Sequence, residues 1–250
     1  MQNKYTYLLS LLILSLPNSA DSHNFCNFTM TVRQHLYNNG FHRNLTYKLV
    51  FENHSDDNSG TQYYLYDACV LGIQQRLPAG LFVNPDELSD LRRAEKLTAF
   101  PNNGVNIEVP AEYAQPFNAY IFTQVSYSKV ETWLPVHARY HRAVKGGGFA
   151  HNELGAPSVF IRCPDHRMEE CDMPMKTKTY LCEKDPDRCL WKEIIPKMLN
   201  KPLDWPVPVG NLEHYYITAG LTLVAVLIAS MWLIKAIHEH KVAYRQRWRF

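Results

Sequence analysis

Few residues in this chain are equipped for chemistry. His137 and His141 stand four apart in the run HARYH, and Asp185 and Asp187 flank a proline in DPD. On a helix the two imidazoles would share a face and could grip one divalent ion. Pro135 and the aromatic and β-branched neighbours favour an extended chain instead, in which residues four apart lie about 13 Å from one another. That separation excludes a shared metal. The DPD triplet matches the short pattern with which many glycosyltransferases hold a metal and a nucleotide sugar, but it sits in a loop-like stretch between Cys182 and Cys189. Three letters there specify no site. Neither G-x-S-x-G, a P-loop nor H-E-x-x-H occurs. Arg139 and Arg142, on either side of Tyr140, read as a solvated basic edge. The residues therefore predict no catalytic group, no cofactor and no metal.

The cysteines carry structural chemistry. Cys26, Cys69, Cys163, Cys171, Cys182 and Cys189 form an even set with no close CxxC pair, which favours disulfides in an oxidising compartment over zinc. The expected arrangement is a Cys26–Cys69 link, with the other four paired among themselves. Asn27, Asn44 and Asn53 each open a glycosylation sequon.

The elements that must position these groups begin with two apolar runs. Residues 217–234 carry no charge over eighteen positions, and a helix of that length reaches about 27 Å, enough for a thin bilayer. Tyr215 and Tyr216 before it, and Trp232 and Lys235 at its far end, suit a membrane interface. Thr222 and Ser230 are tolerated there because a hydroxyl bonds back to a carbonyl one turn earlier. Residues 1–22 read as a secretory signal: Lys4 precedes an apolar stretch that Pro17 ends. A removable leader and one later span predict a type I topology. Lys235, Lys241, Arg245, Arg247 and Arg249 crowd the far side of the span, as a cytosolic tail should. The net charge of +2 owes much to that tail, so nucleic acid is not an expected partner.

Between the two runs, residues 23–200 read as one lumenal domain, and 201–214 as a proline-rich extended approach to a span at 215–234 and a basic tail at 235–250. Residues 32–37 suggest a helical turn. Leu45, Tyr47, Leu49 and Phe51 alternate with Thr46, Lys48 and Val50, the pattern of a half-buried strand. The polar run 52–60 predicts a loop leading into a partner strand at 63–75. Pro78 and Gly80 mark a turn, residues 81–83 a short strand, and Asn84 the cap of a short helix ending near Arg93. Pro85 occupies its first position, Glu87 is placed to bond back to the cap, and Leu88 and Leu91 face inward. Residues 105–109, 120–127, 133–140 and 158–162 read as further strands, the last of them closing the sheet. The fold class expected is mainly β: an antiparallel sandwich or partly closed barrel with one short helix, followed by a single C-terminal transmembrane helix.

Two stretches, LPAGLFVNPDEL at 77–88 and LPVHARYHR at 134–142, resemble the phosphatidylinositol-glycan biosynthesis class X family. GFHRNL at 40–45, Cys189-Leu190-Trp191 and VPVG at 207–210 add to the likeness. The resemblance implies an accessory subunit of GPI mannosyltransferase I, resident in the endoplasmic reticulum (ER) membrane. In that family a multispan class M partner holds the active site and adds the first mannose, from dolichol-phosphate-mannose, on the lumenal face. Within the shared stretches Pro78, Gly80, Pro85, Glu87, Leu88, Pro135, His137, Arg139, Tyr140 and His141 are the candidate partner-contacting residues. A cell-surface receptor or adhesion ectodomain is the rival reading, and its glycans would resist endoglycosidase H. A lumenal enzyme using Asp185 and Asp187 is the other, and it would fail on their replacement by asparagine.

Overall fold

The computed structural model describes residues 26, 28–53, 66–165, 168, 171–173, 175–177 and 190–247. The expected leader at 1–22, the sequon asparagine Asn27, most of the expected polar loop at 52–60, Cys182 and Cys189, the DPD triplet and the last three residues lie outside them.

The first two strands, β1 (Phe28–Tyr37) and β2 (His42–Asn53), form a hairpin. Asn38 and Gly40, at φ 71° and 91°, turn the chain between them. The expected helical turn at 32–37 is thereby corrected: Met30, Val32 and Gln34 alternate inward, and the ladder runs unbroken from Phe28 opposite Asn53 to Tyr37 opposite Asn44. Leu45, Tyr47, Leu49 and Phe51 are buried, as the alternation predicts.

The partner expected for β2 at 63–75 belongs to another layer. The strand there is β3 (Val70–Leu77), followed by β4 (Leu81–Phe82), helix α1 (Pro85–Arg93) and β5 (Thr98–Pro101). Next come β6 (Phe117–Gln124), β7 (Lys129–Ala138), β8 (Gly148–Leu154) and β9 (Ser158–Arg162). β9 is not the last: β10 (Met175–Thr177), β11 (Leu190–Ile194), β12 (Lys197–Met198) and β13 (Leu203–Val209) follow before the long helix α2 (Tyr215–Arg247). One sheet runs β12-β1-β2-β7-β4, the second β10-β11-β9-β3-β6-β5, and β13 pairs with β8 as a separate ribbon. The fold is mainly β, with a curled half-barrel sheet.

The core lies between the layers. Val32, Leu45 and Leu49 of the first sheet meet Leu71, Ile73, Ile121 and Ile161 of the second in one apolar cluster. A buried polar bridge crosses it: Gln34 Nε2 donates to Gln75 Oε1 at 2.9 Å, and the Tyr47 hydroxyl donates to the same oxygen at 3.0 Å. Gln75 Nε2 in turn reaches the carbonyls of Arg76 and Gly155, at 3.0 and 3.2 Å, so its amide is satisfied.

Strand register decides the disulfides. Val70 of β3 faces Arg162 of β9, so Cys69 and Cys163, one step beyond, meet and bond. Cys26, just ahead of β1, bonds Cys171. The expected Cys26–Cys69 link, and with it the pairing of the other four cysteines among themselves, is thus wrong: Cys26 and Cys69 enter different sheets and take Cys171 and Cys163 as partners.

The proline-rich stretch at 201–210 is extended, but as β13. Pro206 and Pro208 point outward while Trp205 and Val207 are buried in the main core. α2 then leaves the β domain with its apolar side chains exposed along its length. Residues Leu212–Val242 are long and apolar enough to cross a membrane. Thr222 Oγ1 donates to Thr218 O at 2.8 Å, as expected of a hydroxyl in such a helix.

Candidate functional site

Three strands of the first sheet lay an aromatic row across its outer face. Phe82 of β4 stands opposite His137 of β7, and His137 stands opposite His42 of β2. The two imidazoles stack with centroids 4.3 Å apart and planes within 4°, and Phe82 stacks on His137 at 5.0 Å. Cross-strand pairing alone dictates this, since directly opposed side chains on one face lie about 5 Å apart.

Glu87 closes the row from above. Asn84 caps α1, its Oδ1 accepting from Asp86 N–H at 3.0 Å, and Pro85 opens the helix as expected. Glu87 departs from expectation: instead of bonding back to the cap, its carboxylate lies 2.8 Å from His137 Nε2 and 3.4 Å from His42 Nε2. Leu88, one residue on, is buried and anchors the helix to the core. A carboxylate therefore spans two stacked imidazoles on a half-exposed surface.

The trio offers three ligand-type groups, with atoms within 4.8 Å of one another. Tetrahedral zinc needs lone pairs that converge. Parallel rings send theirs side by side, so an ion in the plane of one imidazole would lie off the plane of the other. As placed, the arrangement is a hydrogen-bonded clamp.

Arg139, two residues beyond His137 on the same face, is buried rather than a solvated basic edge. Its Nη1 donates to the carbonyls of Asn106 and Val109, at 2.8 and 2.6 Å, and its guanidinium lies 4.8 Å over the Phe82 ring. Burial lowers its pKa from the ordinary arginine value. These bonds explain why 105–109 is not the strand its alternation predicts: two of its carbonyls serve Arg139 instead of a neighbouring strand.

His141 lies past the end of β7, outside the group of ligand-type atoms that gathers His42, Glu87 and His137. Its Nε2 stands 3.3 Å from the Asn152 amide nitrogen. Gly80 is pressed against this pair: a Cβ there would fall 1.9 Å from Asn152 Oδ1 and 2.7 Å from His141 Cε1. Pro78 and Gly80 form the turn before β4, Pro78 O accepting from Leu81 N–H and Gly80 O from Arg139 N–H. Tyr140 projects outward, 80% exposed, with Phe41 at 5.9 Å. Pro135 faces Asn44 across the β2–β7 ladder, and that sequon asparagine is partly exposed on the outer face of the sheet. Asn53 ends β2.

The three stretches at 40–45, 77–88 and 134–142, far apart in sequence, thus meet on one surface. A family model described as PIG-X / PBN1 matches residues 38–238, from the β1–β2 turn into α2. The chain belongs to that family. Among PIG-X / PBN1 relatives, the chain is 27% identical over 221 residues to a Homo sapiens protein named GPI alpha-1,4-mannosyltransferase I, stabilizing subunit, covering 84% of this chain and 80% of that one. A Mus musculus protein of the same name is 27% identical over 214 residues, covering 84% and 81%. Sequence reasoning identified Glu87, His137 and Arg139 within the shared stretches but passed over His42 and Asn152. His42 was legible in GFHRNL; Asn152 had no local signal, because only the β8–β13 ribbon carries it to Gly80.

Proposed function

We propose that this chain is the non-catalytic, stabilising subunit of GPI mannosyltransferase I in the ER membrane. The observation that carries the reading is the alignment over most of both chains with relatives that bear that name. The catalytic partner is a multispan class M protein that adds the first mannose of the GPI anchor. The β domain is lumenal: the five basic residues after the span favour a cytosolic C-terminus, and disulfides suit an oxidising lumen. Asn44 and Asn53 are then within reach of glycosylation, as is Asn27.

Stabilisation follows from linkage. A subunit that binds only the folded catalytic chain lowers its free energy by RT ln(1 + [L]/Kd), about 2.7 kcal/mol at a hundred times Kd. The surface assigned to the partner is the one where the three stretches meet. Exposed Phe41 and Tyr140 beside a rigid clamp are the aromatic anchors that hot spots favour. Deleting the gene and measuring partner abundance and surface GPI-anchored proteins tests the assignment. Both should fall, and both should recover with a chain carrying Asp185→Asn and Asp187→Asn. Unchanged levels after deletion would overturn it.

A further inference from the structure

The end of the β domain from which α2 departs carries a turn that runs into the start of β8, residues 144–149, with the sequence VKGGGF; Phe149, the second residue of β8, stands opposite Pro208 of β13. Its apolar groups face outward: Val144 is 43% and Phe149 65% exposed.

Backbone bonds fasten this segment to the root of the helix. Val144 N–H donates to Gly210 O at 2.9 Å, and Leu212 N–H donates to Val144 O at 3.1 Å. Gly146 N–H donates to Asn211 Oδ1 at 3.0 Å. The same oxygen accepts from Glu213 N–H at 2.9 Å, capping the turn that runs into α2. Gly146, Gly147 and Gly148, at φ 83°, 68° and 123°, hold left-handed conformations that side chains resist. The segment therefore has a set shape and a set place beside Asn211.

That place is close to the bilayer. From Asn211 to Ile217, the first residue of the uncharged run, the axial rise is about 9–10 Å, against a headgroup layer about 5–8 Å deep, so Asn211 lies at the outer edge of that layer and the neighbouring side chains reach into it. Tyr215 and Tyr216, both exposed, lie between.

We propose that residues 144–149 are a second foothold on the membrane, with Phe149 and Val144 seated among phospholipid headgroups and the Lys145 ammonium paired with lipid phosphate. An aromatic ring and a long basic side chain are what the headgroup layer accepts. A helix alone lets the domain swivel about its root; a second contact to one side of it fixes its tilt. The proposal rests on α2 spanning the bilayer and is independent of the subunit assignment.

The test places the photoreactive residue benzoyl-phenylalanine at position 149 in the full chain, in intact microsomes. Position 223 in α2 and exposed position 37, on the β1–β2 hairpin, serve as references. After irradiation, position 149 should yield phospholipid adducts as position 223 does, and position 37 none. Lipid adducts at 223 but none at 149 would overturn the foothold while leaving the span intact, and so would an adduct at 149 to polypeptide alone. Absence of lipid at both 149 and 223 would overturn the spanning helix and the foothold with it. Retention of adducts at 149 when the partner gene is deleted would confirm that lipid, and not the subunit interface, covers the segment.

Discussion

Two side chains of the shared stretches do something their local sequence does not announce. Glu87 stands where a helix's third residue bonds back to its cap, yet its oxygens bridge His42 and His137. Replacing Glu87 with Gln should cost about 1 kcal/mol, the size of a charge-assisted bond on a half-exposed surface. Denaturant midpoints of the purified chain check this, and the loss should shrink in a His137→Ala background. His141 offers a pH signature. Burial lowers its pKa from the ordinary value near 6.5. The fold thus favours the neutral ring, which can accept from the Asn152 amide, so this stabilisation is complete above about pH 6.5 and is lost as pH falls through that value toward the lower folded pKa. Between pH 7.5 and 5.5 the thermal midpoint of the wild type should fall further than that of His141→Gln, whose amide has no proton to gain.

At the scale of elements, the second sheet depends on a covalent tie between neighbours. Cys69 and Cys163 lie 94 residues apart and join β3 to β9 one step beyond their ladder. Replacing both with alanine should cost about 4–5 kcal/mol by loop-closure entropy, read as a lowered denaturant midpoint under oxidising conditions. The loss should be smaller while Cys26–Cys171 is intact than in its absence, because that larger loop encloses this one and already restricts the unfolded chain. Strand placement also explains which expectations failed. Alternation is blind to a strand's partner, so by itself it assigns β2 to the next strand in sequence, whereas β2 pairs with β1 and β7. It is equally blind to a carbonyl's partner, so 105–109 looked like a strand while its oxygens bonded Arg139.

For the whole molecule, the proposed function divides the labour between a β domain that makes contact and a helix that holds it at the bilayer. α2 presents no buried side chain to the β domain over its apolar length. Because the proposed interface lies on the β domain, exchanging residues 217–234 for an unrelated leucine-rich span of equal length should leave the partner's steady-state level unchanged. Phe41→Glu combined with Tyr140→Glu should lower it several-fold, with the variant itself still expressed. A partner level that follows the span instead would move the interface into the membrane.

Sequence alone determined the properties that depend on local pattern. The apolar run of 217–234, the alternation of β2, the Asn84-Pro85 helix start and the even set of cysteines all act over a few residues or a single period. Each was legible without coordinates, and so was the family, from short stretches in a fixed order. Tertiary structure alone decided which cysteines bond, that 203–209 is a strand of the domain, and that His42, Glu87 and His137 form one clamp. Those outcomes turn on which strand lies beside which, a choice made by burial of the two sheets against each other and carried by no single segment.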